Sequence, residues 1–196
     1  MSITAHKPAS AAPSRPATER SVHAPTLGRM VLEATVRHRG PALRVMRDGR
    51  LVQWSYADLG AQVRELARGL VAIGVAPGDR VAILASTRPE WTISDCATLC
   101  AGATAVPIYQ TNSPEECRYV LAHSGARVVI CEDADQVAKV RSVLDGCPQL
   151  EHIVTIDPVD GEPSLADIRA LAGDVPEGAL EAAQLQVGHD DVATIV

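Results

Sequence analysis

Five short apolar runs punctuate the chain: RVAIL (80–84), ATAVPI (103–108), ARVVICE (126–132), EHIVTI (151–156) and DVATIV (191–196). Hydrophobicity in these runs is continuous rather than alternating, which marks strands buried on both faces. Stretches of helical character separate most of them, at 90–100, 114–124 and 136–144, with weaker ones near 164–172 and 178–186. Strands alternating with helices mean βαβ units, a mainly parallel sheet and right-handed crossovers. The expected fold class is α/β, a mainly parallel sheet with flanking helices.

The part before residue 80 reads differently. A short helix is expected from Thr26 to His38, and ALRVMRDGRLVQWSY then reads as two strands around the turn dipeptide Asp48-Gly49, a small N-terminal hairpin. Ser55, with Asp58 three residues on, is a helix N-cap signature. The helix it opens aligns Leu59, Val63, Leu66, Leu70 and Ile73 on one face, and Gly74 is placed to end it. Residues 1–22 are rich in Pro, Ala, Ser and Thr without a hydrophobic period, so a disordered tail is expected there, with the α/β portion spanning 23–196.

Composition narrows the function classes. Aromatics make up 3% of the 196 residues, with no Phe, which argues against stacking platforms for single-stranded nucleic acid. From Glu132 onward there are fourteen acids against three bases, so that segment carries −11 in a chain of net charge −6. Nucleic-acid binding, which needs clustered positive charge, is not expected. Five cysteines in odd number, without a CxxC pair or a secretory signal, favour reduced thiols and a cytoplasmic protein. Cys96 and Cys100 would share a helix face, but zinc needs four spaced ligands and the rest cannot be assembled. No apolar run reaches the roughly 20 residues of a membrane-spanning helix.

Several stretches could carry chemistry. Gly74 and Gly78 lie between a helix and a strand, the wrong order for a dinucleotide-binding loop, and read as a cap and a turn. STRPEW (86–91) and YQTNSPEE (109–116) both follow strands, at the sheet end where open α/β folds bind ligands. Arg88 could hold an anion or serve as a structural arginine. Tyr109, Gln110, Thr111 and Asn112 form a polar loop that could line a cleft or simply fix the loop's geometry. Ser113, Pro114 and Glu116 are a helix start. His123 ends that helix beside Gly125, where a cation suits the free carbonyls. The paired acids Glu115/Glu116, Glu132/Asp133 and Asp190/Asp191 read as solvated caps rather than an acid–base pair. By chemistry alone no residue earns a catalytic, cofactor-binding or metal-binding role.

The order of the segments is more specific than any one of them. WSYADLGAQVRELARGLVAIGVAPGDRVAILASTRPEW followed by GATAVPIYQTNSPEECRYVLAHSGARVVICED resembles the N-terminal part of the adenylate-forming (AMP-dependent) synthetases, over about residues 26–196. PIYQTNSPEE and LAHSGARVV point to bacterial long-chain fatty-acid–CoA ligases. The resemblance implies an enzyme that joins a fatty acid to coenzyme A through an acyl-adenylate, using ATP and Mg2+. It also implies that in relatives a strand like DDVATIV leads into a Ser/Thr/Gly-rich phosphate loop, and that this chain is a portion of such a ligase. As such it is expected to be inactive alone and to bind ATP, Mg2+ and coenzyme A poorly. Other readings are a ligase for another carboxylic acid or a carrier-protein acceptor, and a non-catalytic binding or dimerisation module. Peripheral membrane association and homodimerisation are left open.

Overall fold

The computed structural model describes residues 26–47 and 49–196; the expected tail at 1–22 lies outside the described residues. Helix α1 (Leu27–Arg37) precedes the hairpin strands β1 (Pro41–Arg47) and β2 (Arg50–Ser55), which pair antiparallel. The long helix α2 (Tyr56–Ala72) follows directly. The capping box at its start is complete: the Ser55 hydroxyl accepts from the Asp58 N–H, and the Asp58 carboxylate accepts from the Ser55 N–H. Its apolar face buries Leu59, Val63, Leu66 and Leu70. Leu66 and Leu70 are 0% exposed, and burial of each contributes roughly 2 kcal/mol.

The parallel sheet is built by β3 (Arg80–Leu84), α3 (Pro89–Cys100), β4 (Thr104–Ile108), α4 (Pro114–Ser124), β5 (Val128–Cys131), α5 (Ala134–Ser142) and β6 (His152–Thr155). A short 3₁₀ turn at Leu144–Gly146 follows α5. Helix α6 (Leu165–Ala170), a second 3₁₀ turn (Leu171–Asp174) and α7 (Ala179–Gln184) complete the described elements. Strand order is β4-β3-β5-β6, all parallel. The sheet class and the hairpin are as the hydrophobic pattern implies.

Strand order dictates the layers. From β3 the chain steps sideways to β4, then crosses back over β3 to reach β5. With right-handed crossovers, these opposite steps put α3 and α4 on opposite faces. Two cores result. Val81, Val128, Ile130 and Val154 face a layer that includes α1, α2, α3 and α6, while Ala82, Val106, Val129 and Ile153 face α4 and α5. The helices on the first face approach closely. A Cβ at Gly28 would lie 2.2 Å from the Leu99 carbonyl oxygen, and one at Gly69 would lie 2.0 Å from that of Ile168.

The run at 191–196 departs from the buried strand expected of it. It lies alongside β4 with one parallel bridge, Ala105 to Thr194. The Ala105 N–H donates to the Ala193 carbonyl at 3.0 Å, and the Ile195 N–H donates to the Ala105 carbonyl at 3.0 Å. Val192 is 62% exposed and Ile195 38%. Its β-branched residues make it extended, but β4 pairs with one backbone edge and the side chains of Val192, Thr194, Ile195 and Val196 are left exposed. Burial of a strand comes from its neighbours, not from its own composition.

Candidate functional site

Adjacent strands whose following loops leave to opposite faces open a crevice at their carboxyl ends, the usual ligand position in open α/β sheets. Here those strands are β3 and its neighbours β4 and β5, so residues 85–88, 109–113 and 132–133 occupy the sheet end where a ligand of such a fold would lie.

Just past the ends of β3, β5 and β6 stand Ser86, Glu132 and Asp157, and Arg88 ties them together. Its Nη2 donates to Asp157 Oδ1 at 2.9 Å, its Nη1 to Asp157 Oδ2 at 3.1 Å and to Glu132 Oε1 at 3.3 Å, and its Nε to Glu90 Oε2 at 2.9 Å. Glu132 also accepts from the Ser86 N–H at 2.7 Å and hydroxyl at 2.6 Å. The hydrogen bond with Asp157 is the largest influence holding Arg88 firmly protonated, against the opposing effect of burial. Burial pushes the Glu132 carboxyl up, but Ser86 and Arg88 together outweigh it and leave the group below the ordinary glutamate value. Of the two readings of Arg88, the geometry supports the structural one. Its three nitrogens are engaged by three carboxylates, which makes the cluster a clip across strand ends with formal charge −2.

The other sequence candidates separate. Tyr109 is 78% exposed beyond β4, and the Gln110 carbonyl accepts from Lys139 Nζ at 2.6 Å, which anchors the loop to α5. The Asn112 N–H closes a turn onto the Tyr109 carbonyl at 3.0 Å. Ser113 and Glu116 form the expected capping box, and Glu115 pairs with Arg118 at 2.6 Å. His123 stacks on Tyr119, with ring centres 5.3 Å apart, on the surface of α4 rather than at the crevice. Asp133 caps α5 by accepting from the Gln136 N–H, Asp190 pairs with His189 at 3.2 Å, and Asp191 accepts from the Gly188 N–H. The members of each acidic pair therefore serve different local partners. Among the cysteines, Cys100 is buried with its thiol directed at the Gly28 carbonyl, while burial pushes Cys96 up to about 11 and Cys100 and Cys131 up to about 12.

Sequence reading found Arg88 but missed its assembly with Ser86, Glu132 and Asp157. The available signal was positional: Ser86 and Asp157 lie one or two places past the end of an apolar run, and Glu132 is the polar residue that closes one. The assembled set does not fit a magnesium triphosphate. Its single cation is neutralised, its net charge repels phosphate, and no group of three or more His, Cys, Asp or Glu suited to a metal occurs among the described residues.

Residues 32–196 match the family described as "AMP-binding enzyme". The long-chain-fatty-acid–CoA ligase FadD15 of Mycobacterium bovis is 35% identical over 150 residues, which are 76% of this chain and 25% of that protein. Human long-chain-fatty-acid–CoA ligase ACSBG1 is 30% identical over 176 residues, 87% of this chain and 24% of that one. The chain thus spans about a quarter of the length of these relatives. Among solved structures, a Mycobacterium tuberculosis fatty acyl CoA synthetase aligns with a TM-score of 0.68 at 29% identity, covering 87% of this chain and 32% of that one.

Proposed function

Because the chain belongs to the AMP-binding enzyme family, we propose that it is the N-terminal α/β portion of an ATP-dependent long-chain fatty-acid–CoA ligase. The observation that carries this reading is the 35% identity, over three-quarters of the chain, to a ligase named for that substrate class. In the reaction proposed for the whole enzyme, a fatty-acid carboxylate oxygen attacks the α-phosphorus of ATP and pyrophosphate leaves. The thiol of coenzyme A then attacks the acyl carbon, AMP leaves and a thioester forms. ATP and magnesium supply the activation when bound. A cytoplasmic setting fits the free thiols, and among the described residues no helix is long and apolar enough to cross a membrane.

What these residues contribute is a scaffold. The Arg88 clip fixes the ends of β3, β5 and β6 relative to one another, and α2 and α3 back the sheet. Electrostatic stabilisation of a phosphoryl transition state requires cations or N–H donors aimed at the developing charge, and the clip aims carboxylates instead. The 196-residue chain alone is therefore proposed to be inactive. ATP–pyrophosphate exchange tests both levels. Purified chain with palmitate and magnesium ATP is expected to give no exchange, and exchange by it would overturn the scaffold reading. In the whole enzyme, exchange should be driven by long-chain fatty acids; exchange with an aryl acid but not palmitate would move the assignment to another acid.

A further inference from the structure

The parallel sheet has two edges, and they are finished differently. On the β6 side, Ile153, Val154 and Thr155 are buried, and the Thr155 N–H donates to the Pro163 carbonyl at 2.9 Å. Residues 163–164 thus run beside β6, joined to it by the parallel bridge from Thr155 to Ser164, and Pro163 has no N–H to offer a further strand. On the other side the sheet ends in the run 191–196 beside β4. There the Ala193 carbonyl and the Ile195 N–H bond to Ala105, so residues 193 and 195 turn their backbone groups inward and Thr194 turns its own outward. Among the described residues neither the Thr194 N–H nor its carbonyl has a partner. Val192, Thr194, Ile195 and Val196 are all exposed.

An open edge of β-branched residues is a template for another strand, and this one is complementary to its own reverse. Laid antiparallel on a second copy about a two-fold axis at Thr194, the two Thr194 residues exchange both N–H···O=C bonds, and Val192 comes opposite Val196 of the second copy. The stretch 192–196 carries no charged side chain, and Asp190 and Asp191 fall beyond it, so no like charges are set opposite each other. Beside the strand, Leu27, Met30, Val187 and Val192 line a hollow of about 710 Å³, with Leu27 46% and Met30 54% exposed. Pairing brings the second copy against this surface and adds apolar burial to the backbone bonds. Because the β6 side is already closed, each sheet has one edge to give, and association stops at two copies instead of continuing as a fibre.

We propose that the 191–196 edge is a self-association site, at which two copies of the 196-residue chain pair antiparallel across Thr194 into one continuous sheet. This goes beyond the ligase assignment and does not rest on it. Sedimentation equilibrium of the chain from micromolar to submillimolar concentration tests it, and the mass is expected to rise from 20.7 kDa towards twice that and no further. The interface belongs to the small class, below about 1,200 Å², so the dimer should dissociate on dilution. Thr194→Pro removes the outward N–H without touching the bonds to Ala105; it should keep the fold, as circular dichroism checks, and hold the mass at one chain. Val192→Lys, which puts a cation into both symmetry-related Val192–Val196 pairs, should weaken dimerisation about tenfold. Met46→Ser, at an exposed apolar residue of the hairpin, should change nothing. Thr194→Cys reads the register: a hydrogen-bonded pair sets the two Cα atoms about 5.5 Å apart, within disulfide reach, so oxidised glutathione should trap a covalent dimer. Val192→Cys should not be trapped, because its counterpart lies opposite Val196. A chain that stays monomeric, a dimer unaffected by Thr194→Pro in folded protein, or masses that grow beyond two copies would each overturn the proposal. So would a monomer whose Thr194 amide resists hydrogen exchange, which would assign the edge to residues of the same chain.

Discussion

Replacing Arg88 by Met tests the clip, because it keeps the aliphatic stem and removes every donor. The substitution frees Glu90, Glu132 and Asp157 from their shared cation. Asp157 has a side chain 53% exposed, so water compensates most of its loss and about 0.5 kcal/mol is assigned to it. Glu132 is 14% exposed but keeps both Ser86 bonds, which places its loss at about 1–1.5 kcal/mol rather than the full penalty of a stranded buried charge. Glu90, 18% exposed, adds about 0.5–1 kcal/mol. The total is about 2–3 kcal/mol, or a fall in Tm of about 4–12 °C for a domain of this size. The pH dependence supplies a second handle. Glu132 has a depressed folded pKa, so its contribution is present above the ordinary value of 4.5 and is lost as pH falls through the lower folded value. Thermal unfolding of the parent and Arg88→Met at neutral pH and in acid should show the gap narrowing in acid. An equal gap at both, or a stabilised variant, would refute the assignment of the clip as a stabilising device.

Two further substitutions and treatments probe the packing. Gly69→Ala should lower stability by about 1–2 kcal/mol, since overpacking of up to about 3 kcal/mol against the Ile168 carbonyl exceeds the roughly 1 kcal/mol that Ala gains in a helix. Gly173→Ala, whose Cβ would meet nothing within 4 Å, should be near neutral, and urea unfolding of both decides the matter. For the thiols, Cys100 and Cys131 should resist a thiol reagent in the native protein at mildly alkaline pH and react once the chain is unfolded in urea. Their folded pKa values are raised by burial, so the stability they confer is complete below the free-thiol value of 9.0 and falls as pH rises towards about 12. Rapid native labelling of either cysteine would contradict the buried placement.

The elements were legible in sequence where their causes are local. Continuous apolar runs at 80–84 and 128–131 became buried strands, and the Ser55/Asp58 and Ser113/Glu116 spacings became complete capping boxes. Strand order was not legible, because the pattern that marks a strand says nothing of which neighbour it takes. The clip was hidden for the same reason: Arg88 lies 44 residues from Glu132 and 69 from Asp157, and only the order β3-β5-β6 brings their ends to one level. The 191–196 run exposes the same division. Its extended conformation follows from Val192, Thr194 and Ile195, whereas its exposure follows from lying beside an edge strand.

Charge placement gives the scaffold reading its physical basis. A phosphate that recruited Arg88 would have to draw it from three carboxylates, leaving Glu132, Glu90 and Asp157 with formal charge −3 beside the incoming anion. Binding would then be opposed both by the lost ion pairs and by repulsion from the freed acids, the more strongly because Glu132 and Glu90 are largely shielded from water. An arginine at the carboxyl end of an α/β strand is ordinarily a promising phosphate ligand, but its worth depends on what already holds it. Here the acids next to the strands hold it, so a phosphate bound at this sheet end would have to draw its cations from elsewhere, while Arg88 keeps the ends of β3, β5 and β6 in register.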